Sequence, residues 1–112
     1  MRWKELTSIA ELDELIALSE TSTVLILKHS SRCSISKMSL DRLERKWKDG
    51  DEQKAVPYFL NLLDHRDIST AIAQRFGIEH ESPQVLLIRN GKCIYSATHS
   101  EIEYGEIMEN VK

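Results

Sequence analysis

Residues 24–36 read VLILKHSSRCSIS, and the fold turns on this stretch. Val24 to Leu27 is an unbroken run of branched apolar residues, as expected of a strand covered on both faces. A polar turn follows, and Cys33 opens a segment with helical spacing. From Cys33 to about Lys48 the apolar residues Ile35, Met38, Leu43 and Trp47, with Leu40 nearby, recur at helix-compatible intervals, and Lys48-Asp49-Gly50-Asp51 supplies the stop. A cysteine at such a junction is either a reactive thiol or a small buried apolar residue, and composition alone leaves both readings open.

Working outward, residues 8–19 (SIAELDELIALS) place Ile9, Leu12, Leu15 and Ile16 at helical spacing, and Ser8 with Glu11 forms a capping-box pattern. A second strand is expected from Pro57 to Leu63, since proline suits a strand's start and not its centre. The turn Asp64 to Asp67 precedes a helix, DISTAIAQRFG, that ends naturally at Gly77. In SPQVLLIRNGKCIYSA, two strand-like runs flank Asn90-Gly91, the strongest short signal for an antiparallel hairpin. SEIEYGEIMENVK then reads as a modest amphipathic helix weakened by Gly105. The expected fold is α/β: a central mixed β-sheet, with parallel strands and a C-terminal antiparallel hairpin, flanked by about four helices. A short strand before the first helix is also allowed.

The 112 residues, 41% hydrophobic and 29% charged, fit one domain spanning 1–112 with a soluble surface and no membrane span. A net charge of -3 without a Lys/Arg block excludes nucleic acid as an expected partner. The N-terminal MRWKELTSIAELDEL lacks the apolar core of a signal peptide, which points to the cytoplasm, where structural disulfides are rare. The two cysteines form neither a CxxC nor a zinc-spaced pair, so no metal site is expected. Asp64-His65-Arg66-Asp67 reads as a turn and helix start, and Trp3 and Trp47 as packing residues.

The element order, with a cysteine after the first long strand, resembles the thioredoxin fold. Ser82-Pro83 resembles the dipeptide that contains that fold's cis-proline, and the Asn90-Gly91 hairpin follows where the fold puts it. Ser36 takes the second motif position, giving CxxS, and KHSSRCSIS together with ESPQVLLIRNG looks like the YtxJ-like monothiol bacilliredoxins. The resemblance implies bacillithiol as co-substrate, no tightly bound cofactor, bacillithiolated client proteins as partners together with a small-molecule thiol, and a monomer. It also implies that a cis bond at Pro83 leaves the Ser82 backbone free to pair with the cysteinyl part of a substrate.

Disulfide exchange needs a thiolate, and an unperturbed cysteine, with a pKa of about 8.5, is mostly protonated. A helix start would face Cys33 with unpaired N–H groups and the positive end of the dipole; Arg32 adds a cation, and Ser36 is expected to donate a hydrogen bond. Serine cannot resolve a mixed disulfide, so a monothiol cycle follows. Cys93, past the hairpin turn and roughly 20 Å along the strand from Pro83, is expected to be remote from Cys33 and to pack as an apolar residue. The buried acid that thioredoxins carry six residues before the active cysteine is replaced by Leu27. His29 is a candidate to tune the thiolate or meet an anion, beside the plainer reading of a packed or solvated histidine. Lys28, Arg32 and Lys37 are candidates to attract bacillithiol's carboxylates. Two other readings stand beside this one. An iron–sulfur carrier of the monothiol-glutaredoxin type is disfavoured, because Ser34 and Ile35 replace the Gly and Phe of CGFS. A redox-inactive binding module on the same fold is the other.

Overall fold

The computed structural model describes residues 1–111. Five strands form one sheet in the order β1-β3-β2-β4-β5: β1 Lys4–Glu5, β2 Val24–His29, β3 Val56–Asn61, β4 Gln84–Arg89 and β5 Lys92–Thr98. β3 runs parallel to both β1 and β2, while β4 is antiparallel to β2 and to β5. This is the expected mixed sheet, with the short leading strand realised as β1.

Four α-helices cover it: α1 Ile9–Leu18, α2 Ser34–Lys46, α3 Arg66–Phe76 and α4 Tyr104–Asn110. Strand alternation divides the core into two layers. Val24, Ile26, Leu60, Leu86 and Ile88 pack with Leu12 and Leu15 of α1 and Ile68 and Ile72 of α3. Leu25, Leu27, Val85 and Leu87 point the other way, onto Leu43 of α2 and Ile107 of α4. Burial on both faces explains why β2 and β4 read as continuous apolar runs.

The local signals work as their chemistry requires. Ser8 accepts the N–H of Glu11 at 3.1 Å, and Glu11 reaches back to Thr7 N at 3.0 Å. Asn90 and Gly91 turn the hairpin with φ of 52° and 72°, the left-handed pair of a tight two-residue loop. Pro57 is the second residue of β3 rather than the first. Val56 and Leu62 donate to β2 and its extension, through Thr23 O and His29 O, so Pro57 faces the β1 side, where pairing begins only at Tyr58. Its missing N–H therefore costs no ladder bond. Two single-turn 3₁₀ segments, Asp51–Gln53 and His99–Glu101, are additions that sequence periodicity did not indicate.

The first turns of α2 need a correction. The apolar spacing suggested that Ile35 and Met38 face the core, but they are 48% and 65% exposed. The buried face carries Ser36, Ser39 and Leu43. Sheet docking fixes the helix by Leu43, and the two serines fall inward three and four residues apart.

Candidate active site

Cys33 is the N-cap of α2, with extended backbone (φ -103°, ψ 119°). Its N–H donates to Ser30 O at 3.2 Å, closing the turn after β2, and its carbonyl accepts from Lys37 N at 3.1 Å as the first helical bond. The side chain is partly exposed. It sits where the unpaired N–H groups of the first helical turn converge. Arg32, immediately before it, is exposed.

Ser36 is fully buried. Its Oγ accepts from Ser30 N at 3.1 Å and lies 2.7 Å from Nδ1 of His29. The hydrogen bond expected from Ser36 to the Cys33 sulfur is therefore not formed; the hydroxyl braces the 30–36 turn from inside. His29, 6% exposed, has its ring centroid 5.2 Å from that of Phe59. It is packed beneath the turn, not open to an anionic ligand. Burial, with help from the Lys37 charge and against the pull of Glu44, holds its pKa below the usual imidazole value, so His29 is neutral at pH 7.

Lys28 is also corrected. It is fully buried on the α3 side of the sheet and offers no charge to a ligand at the surface. Lys37 and Arg32 remain exposed. The strand run VLILKH contains no polar alternation that would reveal which way Lys28 points.

The Ser82-Pro83 peptide is cis. Lys28 pairs with Gln84 across β2 and β4, so Pro83 lies at the end of the sheet from which Cys33 follows. Pro83 O accepts from His99 N at 3.1 Å, and Ser39 Oγ donates to His99 O at 3.2 Å, joining this segment to α2. Among the described residues, the Ser82 backbone has no hydrogen-bond partner. Cys93 pairs with Ile88 in the register that sets Ile88 against Val24, at the opposite end of β2. Its thiol donates to Tyr95 O at 3.3 Å and packs into the α1/α3 core layer, and burial raises its pKa. The His29–Ser36 contact bridges a strand end and a helix turn, so no sequence periodicity could have announced it.

Residues 4–107 match the family described as monothiol bacilliredoxin BrxC. The chain belongs to that family. Among solved structures it is similar to one described as a candidate oxidoreductase with a thioredoxin fold, at 29% identity and TM-score 0.81 over 96% of this chain and 92% of that one. The thioredoxin of Malassezia sympodialis is 13% identical with TM-score 0.77 (98% and 88% covered), and that of Trypanosoma brucei brucei 11% with TM-score 0.76 (98% and 88% covered). These two show the fold alone. For a bacilliredoxin-family chain with this fold, thiol–disulfide redox chemistry is the supported activity. Among its described residues no helix is long and apolar enough to cross a membrane.

Proposed function

We propose that the protein removes bacillithiol from client-protein cysteines by a monothiol cycle in which Cys33 is the nucleophile. One observation carries the reading: Cys33 caps α2 partly exposed, while the second motif position holds Ser36, buried and bonded to Ser30 and His29, so no resolving thiol stands beside it. Cys93, at the far end of the sheet, offers none either.

In the first step the Cys33 thiolate attacks the bacillithiol sulfur of a client mixed disulfide. The client S–S bond breaks, the client leaves as thiolate and takes a proton, and Cys33 keeps bacillithiol in a new disulfide. In the second step another bacillithiol thiolate attacks the bound bacillithiol sulfur and releases Cys33 as thiolate. The client disulfide has been reduced by two electrons and two bacillithiols oxidised to their disulfide. The unpaired backbone of Ser82 beside Pro83 is available to pair with the cysteinyl part of the substrate, and Arg32 to face its carboxylates. The protein works in the cytoplasm as a monomer and needs no resident cofactor.

Release of free thiol from a bacillithiolated client, with bacillithiol as second thiol, tests this. Wild type and Cys93→Ala should turn over at similar rates while Cys33→Ala is inactive. Turnover by Cys33→Ala at the wild-type rate would refute the reading.

A further inference from the structure

A lysine with no exposed surface stands one residue before the end of β2, on the sheet face opposite α2. Lys28 Nζ donates to Ser69 O of α3 at 3.2 Å and lies 3.4 Å from Nδ1 of His80. The Ser69 hydroxyl lies 3.1 Å from the same nitrogen. Across the strands, Lys28 is paired with Gln84, itself 2% exposed, whose Nε2 donates to Glu79 O at 3.0 Å. Gln84 Oε1 is buried without a partner among the described residues. Among those residues no carboxylate lies within ion-pair distance of Lys28.

An ammonium in such a place is costly, and an apolar side chain of equal length would serve the core better. What Lys28 contributes instead is geometry. Its two acceptors belong to α3 and to the 79–83 segment, which carries Ser82 and Pro83 to the Cys33 end of the sheet. Residues 79–82 lie outside the strands and helices, so these buried contacts, with Gln84 closing onto Glu79, hold the segment from beneath.

We propose that Lys28 is a positioning residue for the Cys33 site, tethering through His80 the segment that presents Ser82 and Pro83. The consequence for exchange rests on the function proposed above; the tether itself does not. A neutral His80 whose unprotonated Nδ1 accepts from Lys28 is the form the contact requires, and burial followed by the Lys28 charge keeps its pKa low, with Glu81 opposing and Arg66 assisting.

The test compares amide hydrogen exchange and client turnover in four full-length proteins: wild type, Lys28→Met, His80→Ala and the double variant. Methionine fills the lysine's space without the ammonium. Exchange of the His99 amide, whose N–H donates to Pro83 O, should accelerate about tenfold in each single variant and no further in the double, with β2 and β3 unchanged, since the two residues act as one unit. Client turnover should fall in the same three variants. Unchanged His99 amide exchange in Lys28→Met, acceleration spread over the whole sheet, or additive effects in the double variant would overturn the tether. Local acceleration with wild-type client turnover would overturn its role at the site. A wild type inactive on the client refutes the functional reading alone, and amide exchange then decides the tether.

Discussion

At Ser36 a hydroxyl with no exposed surface holds the Ser30 N–H and the His29 imidazole, so the turn that carries Cys33 is braced by a residue that cannot form a disulfide. Ser36→Cys places a second sulfur one helical turn from the first, within reach of a bridge. Intact mass after reaction with a bacillithiolated client should then show a protein lighter by two hydrogens and free of adduct; a persistent adduct would mean the buried position keeps the sulfurs apart. His29 gives a pH prediction. Its folded pKa lies below the unfolded 6.5, because burial, seconded by Lys37, disfavours the charged ring. As pH falls below about 6.5 the unfolded chain takes up a proton that the folded one refuses, so stability is lost on acidification. His80 titrates in the same direction. His29→Gln should therefore flatten the acid side of a stability profile in part, and an unchanged profile would place His29 in water.

Two glycines show how an element decides the sign of one substitution. Gly77 caps α3 at φ +66° with nothing within 4 Å of an added Cβ, so Gly77→Ala meets only backbone strain and should cost about 1 kcal/mol in denaturant unfolding. Gly105 lies inside α4, and its added Cβ would meet only the end of the flexible Glu103 side chain at 2.9 Å. Gly105→Ala should stabilise by roughly 0.5–1 kcal/mol. Equal shifts in one direction would contradict this. Such local punctuation made most elements readable from sequence: the Ser8 cap, the Gly77 stop and the Asn90-Gly91 turn all lie where their chemistry put them. The orientation of α2 was not readable, because Ile35 and Met38 supply as good an apolar spacing as the true face and only the sheet beneath chooses between them. Lys28 was misjudged, and His29 took the packed one of its two readings, for a related reason: at the end of a strand covered on both sides, neither parity leads to solvent. For the candidate site, the place of Cys33 at a helix start and the cis bond at Pro83 could be read; the contacts of Ser36 with Ser30 and His29, and of Lys28 with His80, depend on packing between elements.

Across the whole molecule, the two core layers meet at a sheet that carries a buried ammonium near its Cys33 end. Burial pushes the Lys28 pKa down from 10.5 to about 8. Between about pH 8 and 10.5 the unfolded chain binds a proton that the folded chain does not, so the lysine's cost, complete below about 8, is relieved as pH rises through that window. Lys28→Met should be more stable than wild type at pH 7, by about 4 °C or more in Tm, with the gap narrowing towards pH 10. A gap constant with pH would show that the amine reaches water. Fold, buried wiring and a helix-capping thiol at one end of the sheet support the proposed monothiol cycle. Its most direct test is intact-mass spectrometry of wild type, Cys33→Ala and Cys93→Ala after incubation with a bacillithiolated client and no second thiol. The account predicts one bacillithiol on wild type and on Cys93→Ala, mapped to Cys33, with the client freed, and neither event with Cys33→Ala. An adduct on Cys93, or a client freed by Cys33→Ala, would contradict it.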